Sequence, residues 1–283
     1  MSLDIKKVLF FDSGVGGLSI YKDVVEKNTN LKSFYLFDNE FFPYGNKDEH
    51  FLKDRVLSLV KRSIERFDID LVVIACNTAS TTVLPTLRAK LSIPVVGVVP
   101  AIKPAALISK KKIIGLLATP GTVSREYTKE LIHKFAKDCK VILIGSTDLV
   151  LIAENKIRGG FVDREKIKAI TDGFFRDESL VPDVIVMGCT HFPFLKQEII
   201  ESIDKKYNVE LIDSGEAIGN RVHSLLDDEQ MYLIKESKNN NILDIYKEKN
   251  TISYAFYTGY IDNYENERDA FLEFGFASLQ KFG

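Results

Sequence analysis

The chain alternates between short runs of consecutive apolar residues and longer stretches whose apolar positions recur every three or four residues. The runs VLFF (8–11), FYLF (34–37), LVVIA (71–75), PVVGVV (94–99), IIGLL (113–117), VILI (141–144) and VIVM (184–187) predict strands, LVVIA a buried one. Helical spacing predicts helices over 18–27, about 47–67, from after the third strand to about 90, 124–137, 149–156, 164–175 and 217–226, with another starting near Pro193. In the second of these, Phe51, Leu52, Val56, Leu59, Val60 and Ile64 mark one face. In the third, the helix that ends at about 90, Pro85 predicts a break, as the first turn of a separate helical piece. ATPGT (118–122) reads as a turn, and FFPYGN (41–46) as an aromatic loop with turn chemistry. The stretch 211–213 is short and apolar, and 227–250 is polar, rich in Asn and Lys, and reads as variable surface.

Strands and helices in alternation predict an α/β fold of mostly parallel sheets flanked by helices. The two halves resemble each other weakly. KKVL (6–9) corresponds to KKII (111–114), and DLVVIAC (70–76) to DVIVMGC (183–189). This predicts two similar lobes, each placing a cysteine at the carboxyl end of a strand, where open α/β sheets form their ligand crevices. Two facing lobes would set one thiol on each side of a molecule bound in the cleft between them.

Composition narrows the setting. A chain of 283 residues is long enough for one large or two medium domains, and 45% apolar with 28% charged residues is ordinary for a globular enzyme. A formal net charge of −2 gives no basic field for nucleic acid or an anionic membrane. No signal-peptide pattern and no bilayer-length apolar run is found. Three cysteines, Cys76, Cys139 and Cys189, are too few for a disulfide framework, which makes a reducing cytoplasm the simplest setting.

A metal site is disfavoured, because Cys76 has no nearby Cys or His partner and Cys189 has only His191. No C-x-x-C pattern supports a redox pair. A single nucleophilic cysteine would explain Cys189 with His191 but leave Cys76 without a role. Acid–base work uses both. To invert a carbon centre, a proton leaves one face and another arrives on the opposite face, which takes two groups in opposite protonation states. Thiols suit this, since a free thiol titrates at about 8.5 and is readily tuned. Asp12 would sit beside Cys76 and His191 beside Cys189, while backbone N–H groups and the hydroxyls of Ser13, Thr78, Thr119, Thr122 and Thr190 would hold a carboxylate.

At these residues the chain resembles the glutamate racemases, in the cofactor-independent aspartate/glutamate racemase family. The resemblance covers nearly the whole chain and rests on FDSGVGG (11–17), PYG (43–45), ACNTAS (75–80), PVVGVVPA (94–101), ATPGTV (118–123) and GCTHFPFL (188–195). It implies interconversion of L- and D-glutamate by deprotonation and reprotonation, with Cys76 acting on the D-enantiomer and Cys189 on the L-enantiomer. Asp12, Glu154 and His191 match the assisting polar positions. Ser13, Pro43, Tyr44, Gly45, Asn77, Thr78, Thr119, Thr122 and Thr190 match positions lining the substrate site. No metal and no pyridoxal phosphate is implied. A cytoplasmic homodimer supplying D-glutamate for peptidoglycan is implied, with no membrane or nucleic-acid partner. The division expected is 1–98 plus 212–283 for the Cys76 lobe and 99–211 for the Cys189 lobe. YTGYID (257–262) resembles a late TGD-like block and returns the C-terminal segment to the first lobe. Two departures stand out: PYG is followed by Asn46, Lys47 and Asp48 where a serine or threonine is usual, and 227–254 matches no block.

Blander readings compete. A buried cysteine is common, Asp12 would serve as a helix cap, and Glu154 reads from sequence alone as helical surface. Cys139 in a charged stretch has no helper, and His50, His133 and His223 lie in charged helical surroundings. The glycines at 14, 16 and 17 lack the third glycine of a dinucleotide fingerprint, although Asp38 follows the second strand. The Phe41–Phe42 pair reads as packing or a subunit contact. A racemase of this fold acting on aspartate, or a binding protein on the same scaffold, remain the alternatives.

Overall fold

The computed structural model describes residues 5–28, 30–226 and 252–283. The polar stretch expected as variable surface, 227–250, lies outside the described residues. The described strands are β1 (Lys6–Asp12), β2 (Leu31–Phe37), β3 (Leu71–Ile74), β4 (Val95–Gly97), β5 (Ile113–Ala118), β6 (Lys140–Gly145), β7 (Val184–Met187), β8 (Glu210–Ile212), β9 (Ser253–Tyr257) and β10 (Phe276–Lys281). They form two sheets: a six-stranded one in the order β10-β9-β2-β1-β3-β4 and a four-stranded one in the order β6-β5-β7-β8. All pairings are parallel, as the βαβ alternation requires.

The helices are α1 (Leu18–Lys27), α2 (Glu49–Phe67), α3 (Asn77–Lys90), α4 (Ile102–Ile108), α5 (Pro120–Ser124), α6 (Glu126–Phe135), α7 (Asp148–Ile157), α8 (Arg164–Thr171), α9 (Lys196–Ser202), α10 (Gly215–Leu226) and α11 (Tyr264–Glu273). The continuous apolar runs follow from burial on both faces. Val8 and Phe10 enter one core cluster with Tyr35 and Val73, while Leu9 and Phe11 enter another with Leu36 and Ile74. The strand period of two thus divides each run between two helical layers. In the smaller sheet, Leu117 and Ile185 face one cluster, and Leu116 and Val186 the other.

Three sequence expectations change. Residues 77–90 form one helix, with Pro85 inside it. Pro85 is exposed, whereas Val83, Leu84 and Leu87 on the same helix are buried, so packing outweighs the roughly 3 kcal/mol an internal proline costs. ATPGT is not a free turn: Thr119 caps the one-turn helix α5 by accepting from Thr122 N–H. The helix expected over 164–175 stops at Thr171 and tightens into a 3₁₀ turn, Asp172–Phe175. VILI forms a strand, as expected, at the edge of the smaller sheet and paired on one side, which leaves Leu143 exposed. The sequence reading also leaves α4, β9, α11 and β10 unassigned.

After PYG, Asp48 takes the capping role, accepting from His50 and Phe51 N–H at the start of α2. The chain passes between the sheets twice, after β4 and after β8. The two crossings are tied where Ser214 Oγ donates to the Val99 carbonyl at 2.6 Å. The C-terminal strands return to the larger sheet, with β9 pairing along β2.

Candidate active site

The carboxyl ends of β3 and β7 bring Cys76 and Cys189 into one cavity between the sheets. Ser13, Pro43, Tyr44, Gly45, Asn77, Thr78, Thr119, Thr190 and His191 line the same cavity. Asp12, Thr122 and Glu154 stand just behind this wall, each bonded to a residue that lines it.

Cys76 is the N-cap of α3, and its Sγ accepts from the Ala79 N–H at 3.4 Å. Ser13 Oγ lies 3.8 Å from the sulfur. The positive end of a helix favours a thiolate, but burial, with neighbouring Asp12 next in weight, pushes the Cys76 thiol well above its usual range. Asp12 does not cap α1, whose N-cap is Gly17. Its carboxyl accepts from the Ser13 N–H and, across the cleft, from Thr190 Oγ1 at 3.0 Å. Burial raises the Asp12 pKa; the charge on His191 and these donors act against it.

Cys189 meets a different neighbour. Its Sγ lies 3.7 Å from His191 Nδ1, and His191 Nε2 lies 2.7 Å from Glu154 Oε1. Glu154 is not surface: it is 2% exposed and also accepts from the Val15 N–H at 3.0 Å. Burial works against charge on both members, but the pair outweighs it. His191 rises to about 10, held by Cys189 and Glu154, and Glu154 falls below its usual range, held by His191 and Arg158. A charged imidazole has an N–H on each nitrogen and donates to both neighbours. Gly16 leaves room for the ring, since a Cβ there would sit 2.3 Å from His191 Nδ1.

Three hydroxyls meet at the end of the cavity. Thr78 Oγ1 lies 3.0 Å from Thr119 Oγ1 and 3.2 Å from Thr122 Oγ1, and Thr119 donates to Thr122 at 3.0 Å. Asn77 Oδ1 is buried with no partner among the described residues, an acceptor facing a ligand cavity. Tyr44 donates to Asp38 at 2.6 Å, and Asp38 also takes a two-pronged bond from Arg55 and a bond from Thr258. Asp38 is therefore committed to holding the PYG loop. Among the described residues no cluster of three or more His, Cys, Asp or Glu is placed to hold a metal ion.

Sequence reasoning missed Phe42 and Val150, which also line the cavity. Phe42, read as packing or a subunit contact, lies with its ring 5.8 Å from that of His191. Its place in the aromatic PYG loop was a usable signal; Val150 is indistinguishable in sequence from its core neighbours. Cys139 is partly buried away from the cavity, and His50, His133 and His223 lie outside it. Among the described residues no helix is long and apolar enough to cross a membrane.

Residues 16–221 match the model of the Asp/Glu/hydantoin racemase family. A glutamate racemase of Vibrio cholerae is 54% identical over 224 residues, 79% of this chain and 82% of the relative. One of Shewanella sp. is 45% identical over 274 residues, 97% of this chain and 96% of the relative. The crystal structure of Escherichia coli glutamate racemase, in complex with L-glutamate and the activator UDP-MurNAc-Ala, superposes with a TM-score of 0.86 at 41% identity, covering 99% of both chains. The chain belongs to the Asp/Glu/hydantoin racemase family and, within it, to the glutamate racemases, which are amino-acid isomerases.

Proposed function

We propose that this racemase inverts the α-carbon of glutamate by moving protons between two thiols, without a cofactor. One observation carries the reading: two buried cysteines share a cavity, Cys76 with Asp12 as its charged neighbour and Cys189 with the His191 ring 3.7 Å from its sulfur. Cys76, beside Asp12, is held as a neutral thiol and serves as the acid. Cys189, beside a charged His191, serves as the base. With L-glutamate, Cys189 takes the α-proton and Cys76 delivers its own to the opposite face; with D-glutamate the two exchange roles. After an L-to-D turnover Cys189 holds the abstracted proton and Cys76 has given one up, so the starting state returns when Cys189 loses a proton to solvent on the His191 side and Cys76 gains one on the Asp12 side; after a D-to-L turnover the transfers run the other way.

Binding follows from the remaining wall. The hydroxyls of Thr78, Thr119 and Thr122, with the N–H groups opening α3, suit a carboxylate. The unpartnered Asn77 Oδ1 suits the α-ammonium. Ser13, Pro43, Tyr44, Gly45, Thr190 and His191 complete the enclosure, and Glu154 assists through His191. The lobes are 1–98 with 212–283 and 99–211, substrate being held between them. The enzyme works as a cytoplasmic homodimer that supplies D-glutamate for peptidoglycan.

Purified protein is given L-glutamate in heavy water with no added cofactor and followed by circular dichroism and α-proton NMR. Loss of optical rotation together with gain of α-deuterium is expected. Deuterium gain without inversion leaves one working thiol and sinks the two-thiol mechanism. Substantially faster turnover of aspartate overturns the choice of substrate.

A further inference from the structure

The His191–Glu154 pair does not end at Glu154. Glu154 Oε1 is occupied by His191 Nε2 and the Val15 N–H, and its other oxygen lies 2.6 Å from Arg158 Nη2. Arg158 follows α7 one turn after Glu154, so the helix itself brings the two together. From the opposite side Arg158 is gripped by Glu267 of α11: its Nε donates to Oε2, and its Nη2 donates to Oε1 at 3.3 Å. Asn266, also on α11, donates to the Arg158 carbonyl at 3.2 Å. Glu267 is 1% exposed, a burial that a carboxylate tolerates only when paired.

The charges alternate along this line: Glu267, Arg158, Glu154, His191, and then the Cys189 sulfur. Each cation stands between acceptors. The line also crosses the cleft, because α11 joins β9 to β10 of the larger sheet, while Glu154 lies in α7 and Arg158 at its end, between β6 and β7 of the smaller sheet. Cys76 has no counterpart: Asp12 is answered by Ser13 and Thr190, with no arginine bonded to it among the described residues.

We propose that Arg158 and Glu267 are positioning residues for the Cys189 half of the reaction, a buried Glu267–Arg158–Glu154 relay that orients and charges His191. This rests on the two-thiol reading above. Arg158 supplies the cation that keeps Glu154 ionised while it holds the imidazole. Glu267 fixes the guanidinium from the other lobe, so the arrangement completes itself only when α11 and α7 are apposed. Neither residue touches the substrate, and the effect is confined to one face of the α-carbon.

The test compares primary isotope effects. Enantiomers are equal in free energy, so kcat/KM falls equally in both directions whichever thiol is impaired; isotope effects tell the two proton transfers apart. Arg158→Gln is expected to lower kcat/KM about 10- to 100-fold, at or below the lower end of the roughly 10²- to 10⁴-fold a positioned acid–base group contributes, because it acts through His191 and not directly. The isotope effect on kcat/KM should rise with α-deuterated L-glutamate, the enantiomer Cys189 deprotonates, and fall with α-deuterated D-glutamate. Arg158→Lys, which keeps the charge and loses the fork, should recover part of the rate. Glu267→Gln nearly preserves shape and should change the isotope effects in the same sense with a smaller loss of rate; it serves if Arg158→Gln does not fold. A folded variant with normal rate, or with both isotope effects changed alike, overturns the proposal. Cys189→Ser is measured alongside. If it racemises normally, the two-thiol reading has failed; if it is inactive while the isotope effects stay symmetrical in the Arg158 and Glu267 variants, only the relay has failed.

Discussion

The two walls of the cavity solve one problem by opposite electrostatics. On the Cys76 wall, a sulfur at a helix N-terminus accepts from a backbone N–H, yet burial and an acidic neighbour hold its proton on. On the Cys189 wall, an imidazole that burial alone would strip of its proton is kept charged by a buried carboxylate and by the sulfur itself. The helix-end contribution, typically below about 1 kcal/mol, is too small to reverse the cost of a buried anion beside another carboxylate. An ion pair made in the same low-dielectric interior is strong enough. The lesson is that near-repeated strands, each ending in Cys, need not give equivalent thiols; what stands behind each sulfur decides its state.

The largest effect that can break this comparison is loss of either sulfur. Cys76→Ser and Cys189→Ser should each lower racemisation by about 10²- to 10⁴-fold, the contribution of a positioned acid–base group, because a serine hydroxyl is a far poorer acid and base. One-sided α-proton exchange is the activity each variant can retain. Polarimetry with α-deuterium exchange checks this, and two near-normal enzymes would remove the mechanism.

Next comes Glu154→Gln, which should act on the Cys189 wall alone. The raised His191 pKa makes the protonated ring a stabilising feature of the fold: full below about pH 6.5 and lost as pH rises through about 10. Glutamine removes the carboxylate that holds the proton, so the ring should discharge at lower pH. The alkaline limb of the pH–rate profile should shift downward, and the wild-type loss of thermal stability between about pH 6.5 and 10 should shrink. An unmoved alkaline limb would separate Glu154 from the state of His191.

A finer contrast uses neighbouring glycines. A Cβ at Gly16 would sit 2.3 Å from the His191 ring, whereas one at Gly17 would sit 2.7 Å from Asp12 Oδ2 and 2.6 Å from the Tyr35 hydroxyl. Each alanine variant should cost about 1–3 kcal/mol of stability from overpacking. Gly16→Ala should raise the isotope effect with L-glutamate, and Gly17→Ala that with D-glutamate. Identical changes from the two would mean that the strain spreads across both walls. The smallest effect belongs to Cys139→Ser, outside both walls: rate and melting temperature should stay near wild type, and a clear loss would give this third thiol a role it has not been assigned.

Much of this was legible in the chain. The apolar runs located β1, β3, β5 and β7, because strands covered on both faces tolerate little else. The motifs singled out both sulfurs, the threonines and the PYG loop. That β6 lies at a sheet edge was not legible, because an apolar run does not say how many neighbours it has. Pro85 was misread because a local rule for proline does not include the packing of Leu84 and Leu87. Glu154 read as surface from the residues alone because a charged side chain on a helix is usually solvated, and only the family resemblance raised it; a partner 37 residues away covers it.

By itself, then, the sequence determined the alternation of elements, the repeat that sets two cysteines at equivalent strand ends, and the chemistry available to each. Those features are local, written in periodicity and residue type. Only the tertiary structure decided which charge stands behind each thiol. Asp12 lies beside Cys76 and bonds Thr190, 178 residues away, and Arg158 meets Glu267 across 109 residues and between two lobes. The physical reason is that a proton's affinity inside a protein depends on burial and on charges within a few ångströms, and folding, not spacing along the chain, sets those distances.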